Sequence, residues 1–175
     1  MKGVTIVKAK PSDIRDITKV LYLTWLDTYP NRKYHITVSD IHYKFKKRLT
    51  KEELEKRAER IRNQPKNELC LVAKYKNKVI GFCRALKDSK TNELTAIYIL
   101  PEYHGTGIGK LLWKRTCLFF NNKSKTIVKV AIYNEKAIGF YNRLGFIETG
   151  KVIKNKKFRM RNGAVIPETK LVLKK

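Results

Sequence analysis

Around Val4 and Ile6, apolar and polar residues alternate over 3–9, the period of a half-buried strand. Pro11, Ser12 and Asp13 follow with helix-start chemistry, a preset φ and side-chain oxygens for orphan N–H groups. Ile14, Ile17, Val20, Leu21 and Trp25 then recur at helical spacing, predicting a helix to about Asp27. Residues 28–38 contain Pro30 and Asn31 and read as a loop. Residues 39–63 are charged and helical, with a break near Leu49, and Thr50 with Glu53 forms a capping-box pattern for the second half. Residues 68–86 read as two strands joined at Lys76, Asn77 and Lys78. A further strand, 93–100, stops at Pro101, and a glycine-rich stretch occupies 103–110. Ile108, Leu111, Leu112, Cys117 and Phe120 then line one face of a helix to about Asn121. Residues 126–132 form another strand, Asn134 caps a helix ending at Gly145, and 146–152 and 170–173 are final strands. Strands and helices are intermixed, with a β–turn–α unit at 93–121. The pattern predicts an α/β protein, a mixed sheet covered by helices, in one domain spanning 1–175.

Composition narrows the classes. The 175 residues are 42% hydrophobic and 31% charged, normal for a folded chain. No apolar run approaches the roughly 18 residues of a membrane helix, and the first ten residues lack the apolar core of a signal peptide. A cytoplasmic protein with no membrane partner, monomer or homodimer, is expected. Cys70, Cys83 and Cys117 are odd in number and widely spaced, and each sits among apolar residues, so buried thiols are expected and a disulfide framework is not. His35, His42 and His104 share no metal-ligand spacing with them, and no metal is expected. The net charge of +25 is the outlier. It attracts anions, so nucleic acid is one partner class. Yet lysines are spread along the whole chain without an arginine–aromatic stripe, which favours composition over a nucleic-acid surface; the densest basic cluster is 151–161.

His104-Gly105-Thr106-Gly107-Ile108-Gly109-Lys110 lies between a predicted strand and a predicted helix. Glycines there let backbone N–H groups converge on an anion, the helix dipole adds to that, and Lys110 adds charge; the other reading is a flexible turn. The spacing is not that of a nucleotide-triphosphatase loop, because His104 stands where its first Gly belongs and Leu111 where Ser or Thr belongs. Nor is it G-x-G-x-x-G, since the glycines fall at 105, 107 and 109. Downstream, Tyr133-Asn134-Glu135-Lys136-Ala137-Ile138-Gly139-Phe140-Tyr141-Asn142-Arg143-Leu144-Gly145-Phe146 forms an N-x-x-A-x-x-F-Y-x-x-x-G-F run. Together the two motifs resemble the GNAT superfamily of N-acetyltransferases, whose cofactor loop is Gln/Arg-x-x-Gly-x-Gly/Ala after a strand ending aliphatic-x-Pro, here Ile99-Leu100-Pro101. The resemblance covers about residues 1–152 and is strongest over 93–146. His104 departs from the family's Gln or Arg, a change that a cradle of backbone N–H groups tolerates.

The resemblance implies acetyl-CoA as co-substrate and a splayed strand pair holding it. Cofactor contacts fall on Ile97, Ile99, His104, Gly105, Thr106, Gly107, Ile108, Gly109, Lys110, Asn134, Ala137 and Phe140. A protonated amine must lose a proton before it attacks a thioester, and a carboxylate can take it, often through water. In similar enzymes a Glu eleven residues ahead of the Gln/Arg position is that base; here it is Glu93, for which a solvated strand-start residue is the other reading. Tyr141 matches the family's tyrosine acid for the departing thiolate, with aromatic packing as its alternative. A backbone N–H of 97–99 can stabilise the thioester oxyanion. Trp25, Asp27 and Tyr29 follow the first helix, where similar enzymes receive the acceptor, a primary amine of a small molecule or protein; for Trp25 core packing is the stronger reading. The competing expectation is a GNAT-like protein that binds CoA without turnover, or a basic nucleic-acid binder, for which the charge is the feature in favour.

Overall fold

The computed structural model describes residues 3–154 and 159–174. Seven strands form one sheet in the order β1-β2-β3-β4-β5-β7-β6. They are β1 (Val4–Lys8), β2 (Glu68–Tyr75), β3 (Lys78–Lys87), β4 (Thr91–Ile99), β5 (Lys125–Ala131), β6 (Phe146–Lys154) and β7 (Pro167–Leu173). Helices α1 (Ile14–Thr28), α2 (Val38–Arg48) and α3 (Lys51–Arg62) precede β2; α4 (Ile108–Cys117) joins β4 to β5, and α5 (Glu135–Arg143) joins β5 to β6. The sheet is mixed: β4 and β5 run parallel, and the other neighbouring pairs are antiparallel. This is the expected α/β architecture.

Strand alternation sends side chains to two cores. On one face Val72 and Phe82 pack under α1 and α2 against Ile14, Ile17, Ile41 and Phe45. On the other, Leu71, Leu94, Val128 and Leu171 pack under α4 and α5 against Ile108, Leu112, Trp113 and Tyr141. The hairpin β2–β3 turns at Lys76 and Asn77, both with positive φ (46° and 62°), between the paired residues Tyr75 and Lys78. Two positive φ values in a two-residue loop match the strands' twist.

Several boundaries differ from the sequence reading. Helix α4 stops at Cys117, not Asn121, and Phe119 and Phe120 instead donate to the carbonyls of Thr116 and Cys117 in tight turns. Strand β7 begins at Pro167 rather than 170, because a proline is tolerated as the first residue of a strand. The reciprocal capping box sits at Thr37 and Asp40, opening α2, whereas at Thr50 the hydroxyl caps Glu53 N–H without a returned bond. Cys70 and Cys83 are buried, but Cys117 is only half-buried. Burial pushes the Cys83 thiol up to about 12, and its sulfur lies 3.2 Å from the Thr116 hydroxyl, so it is an inert packing group. The basic cluster 151–161 includes 155–158, which lie outside the described residues; within it, the Arg161 guanidinium covers the Tyr43 ring at 5.0 Å.

One irregularity shapes the site. β4 pairs with β5 only from Thr91↔Lys125 to Leu94↔Val128. Directly after Leu94 the β3–β4 register shifts, Arg84 facing Ala96 while Ala85 faces Leu94, so Thr95 is the bulged residue. A bulge increases local twist and ends pairing. Beyond it β4 stays with β3 through Cys83↔Ile97 and Gly81↔Ile99, while β5 stays with β7 through Ala131↔Glu168. The two strands diverge, and a cleft opens between them.

Candidate active site

The loop after β4 occupies one mouth of this cleft. Gly105 and Gly107 have φ of +76° and +85°, a region that L side chains rarely adopt, and Gly107 is the N-cap of α4. The first intrahelical bond runs from Leu111 N–H to the Gly107 carbonyl at 3.1 Å. The N–H groups of Ile108, Gly109 and Lys110 therefore stand at the helix's positive end without intrahelical acceptors. Lys110 is exposed beside them. The His104 ring does not join this cradle: its Nε2 lies 2.9 Å from the Ile99 carbonyl and ties the loop to the end of β4. The Thr106 hydroxyl donates to the Tyr103 carbonyl at 2.7 Å, holding the turn.

Gly109 has a different reason to be glycine. A Cβ there would lie 3.0 Å from Phe140 Cε2 and 3.3 Å from Ile99 Cδ1, so α4, α5 and β4 meet across it. Gly109→Val is expected to destabilise the fold by ~1–3 kcal/mol through overpacking, seen as a lowered Tm in a thermal melt.

Helix α5 forms the adjoining wall. Asn134 caps it, its side chain accepting from Ala137 N–H at 3.0 Å. Tyr141 is 4% exposed, stacked edge-on against Phe140 and Phe146 at ring separations of 5.3 and 5.6 Å. Its ring is thus both core and cleft lining. Burial, chiefly, pushes its phenol far above the usual value and keeps it protonated.

The face beneath α1 supplies the polar wall. Glu93 Oε1 lies 2.9 Å from Lys129 Nζ, an ion pair between β4 and β5 just before they part. The Tyr29 and Tyr98 hydroxyls are 3.0 Å apart, and the Tyr133 hydroxyl donates to the Tyr29 carbonyl at 3.1 Å. Trp25 is 3% exposed, with ring contacts to Tyr29 at 4.7 Å and Phe45 at 5.5 Å, the packing role expected of it. Asp27 is exposed at the rim. Glu168 reaches the same wall from β7. Burial pushes its carboxyl up; Lys129 opposes that and Glu93 adds to it.

These walls enclose a cleft of about 1200 Å³. It brings together Ile97, Ile99, His104, Gly105, Gly107, Ile108, Gly109, Lys110, Asn134, Ala137 and Phe140 with Glu93, Tyr141, Trp25, Asp27 and Tyr29. Of the expected residues only Thr106 stays out of the lining, its hydroxyl being used within the turn. Sequence reasoning missed Lys129 and Glu168 as lining residues. A signal for Glu168 existed: it is an acid directly after the apolar run from Ala164 to Pro167. Reading that strand from 170 left it outside.

A model of the Acetyltransferase (GNAT) family matches residues 29–146. This chain belongs to that family. An uncharacterized N-acetyltransferase of Chlorobaculum tepidum is 33% identical over 81 residues, 46% of this chain; the chain spans about half the length of that curated relative. Among solved structures, the PaiA N-acetyltransferase of Thermoplasma acidophilum in complex with coenzyme A matches with a TM-score of 0.67 at 23% identity, over 94% of this chain and 97% of its own. YncA of Salmonella typhimurium, with its cofactor acetyl-CoA, matches at 0.67 and 18% identity, over 98% and 93%. An acetyltransferase of Streptococcus pneumoniae matches at 0.64 and 20%, over 97% and 98%. These likenesses show a shared GNAT fold. The GNAT family match runs from Tyr29 to Phe146, so it contains the bulge at Thr95, the glycine loop and Tyr141, and stops short of Glu168.

Proposed function

We propose that this chain is an acetyl-CoA-dependent N-acetyltransferase that moves an acetyl group directly to a primary amine inside a ternary complex. The observation that carries this reading is the β4–β5 divergence. It makes one continuous cleft from the glycine loop on the α4/α5 face to the polar wall on the α1 face, with Tyr141 in the lining. Two substrates entering from opposite faces meet there without a covalent enzyme intermediate.

In this reading the free N–H groups of the loop and α4 hold the pyrophosphate, and Asn134, Ala137 and Phe140 flank the pantetheine arm. The amine nitrogen attacks the thioester carbon, and a backbone N–H of the exposed β4 edge, at Ile97 or Ile99, stabilises the oxyanion. As the C–S bond breaks, the Tyr141 hydroxyl gives its proton to the sulfur. Burial disfavours both charged forms, phenolate and thiolate alike, so transfer concerted with bond cleavage avoids leaving either exposed to the dry cleft. Glu93 takes the amine proton through water; a purely structural ion pair with Lys129 is its competing role.

The test is CoA thiol release with a panel of amines, with products read by mass spectrometry. Direct transfer gives intersecting initial-velocity lines when both substrates are varied; parallel lines would mark a covalent intermediate and end this mechanism. No release with any amine would end the enzymatic reading. Glu93→Gln keeps shape and removes the proton acceptor. If Glu93 is the base, kcat/KM falls roughly 10- to 100-fold at neutral pH and recovers in part at high pH, where free amine exists unaided. A profile matching wild type at every pH leaves the carboxylate only its pairing with Lys129.

A further inference from the structure

We propose that Glu168 selects the acceptor, its carboxylate holding a second cationic nitrogen of the same molecule while the first nitrogen is acetylated. The inference rests on the acetyl-transfer reading above and adds to it the class of acceptor: a primary amine that carries another protonated nitrogen.

Glu168 Oε2 is a buried oxygen with no hydrogen-bond partner among the described residues, and its side chain lines the cleft. A buried carboxylate oxygen without a partner is costly unless something supplies the missing donor. Lys129 acts on this carboxyl through space, but its hydrogen bond goes to Glu93, 2.9 Å away, and leaves Glu168 Oε2 without a donor. Strand alternation puts Glu168, Lys129 and Glu93 on the α1 face, away from the cofactor loop. Tyr29 and Tyr98 stand there too; burial chiefly, and Glu168 in part, resists their ionisation, so both remain neutral hydroxyls beside it. The wall thus offers a cation one carboxylate oxygen without a partner among the described residues, flanked by neutral hydroxyls.

Register separates the two acids. Glu93 is opposite Ile127 on one side of β5, and Glu168 is opposite Ala131 on the other. Two strand spacings and four residues of rise place their Cα atoms on the order of 15 Å apart, so the two carboxylates stand at separate places on the wall. The placement also answers the chain's overall charge. A protein of net charge +25 repels a dication at a distance, but salt screens that repulsion within about 8 Å, so a local carboxylate decides inside the cleft.

The experiment compares 1,4-diaminobutane with n-butylamine, equal chains differing in the second nitrogen, for wild type and Glu168→Gln. Thiol release gives kcat and KM; with CoA bound, the Tm shift on adding each amine gives binding without turnover. Wild type is expected to favour the diamine by roughly 10- to 100-fold in KM, the worth of one charge-assisted hydrogen bond. Glu168→Gln should erase that preference while leaving the KM for acetyl-CoA and the Tm shift by CoA unchanged. A variant that keeps the preference, or a wild type without one, overturns the inference. If neither amine is acetylated, the Tm shifts alone judge Glu168: a diamine shift lost in the variant supports it, and no shift overturns it, while the transferase reading is judged by the wider amine panel.

Discussion

Gly107→Glu abolishes the stabilisation of this protein by acetyl-CoA. In wild type, a ligand at about 100 times its Kd adds ~2.7 kcal/mol to stability, which for a chain of this size raises Tm by roughly 5–10 °C. Gly107 sits at the N-cap of α4 with φ +85°, where the loop N–H groups and the helix's positive end converge. A Cβ there meets no atom within 4 Å, so a glutamate side chain fits sterically and projects into open space at the anion's place. It brings a negative charge to the site proposed for the cofactor's phosphates, and it strains a left-handed residue by ~1–2 kcal/mol. Gly107→Asn separates the two effects, because asparagine tolerates the left-handed region and is neutral. The asparagine variant is expected to keep a reduced shift and the glutamate variant none. A differential-scanning measurement in which Gly107→Glu shifts like wild type would remove the loop from the cofactor site.

How far the sequence foretold this molecule depended on whether the deciding force was local. The hairpin at Lys76-Asn77 and the cap at Asn134 are chemistry of adjacent residues, and both were legible. So was the glycine loop, because a left-handed backbone leaves a residue signature. The end of α4 was not: Phe120 continues the apolar spacing, yet Leu118, 77% exposed, falls on the solvent side and the chain tightens into turns. The divergence of β4 and β5 follows from a bulge at Thr95, where an extra residue shifts the register with β3; the alternating pattern carries no mark of it without its partner strand. Glu93–Lys129 joins residues 36 apart in sequence, and Glu168 enters the cleft only because β7 is inserted between β5 and β6. The cofactor side of the site is written in contiguous motifs. The opposite wall is assembled by topology from α1, β4, β5 and β7; Trp25, Asp27, Tyr29 and Glu93 were legible there, whereas Lys129 and Glu168 were not.

Tyr141→Phe lowers turnover by roughly 10²- to 10³-fold while the protein folds and binds acetyl-CoA as before. The ring is what the core uses: it packs edge-on to Phe140 and Phe146 and is 4% exposed, and phenylalanine keeps each of those contacts. Removing the hydroxyl therefore costs little in stability and leaves the loop cradle untouched. In the proposed mechanism, chemistry depends on the oxygen instead. Burial holds the phenol protonated well beyond neutral pH, so in wild type the proton is present at every working pH and its donation adds no ionisation to the rate profile. Without it the thiolate must leave unprotonated into an apolar wall formed by Ile97, Ile108 and Phe140. The loss should then depend on the leaving group: an acetyl thioester of a more acidic thiol, which needs less help, should narrow the gap between variant and wild type. A purely packing role predicts a different result, namely equal kcat for both proteins with every thioester, and that outcome would assign the proton to water. Measuring kcat for the two thioesters beside the Tm shift by CoA decides between hydroxyl and ring.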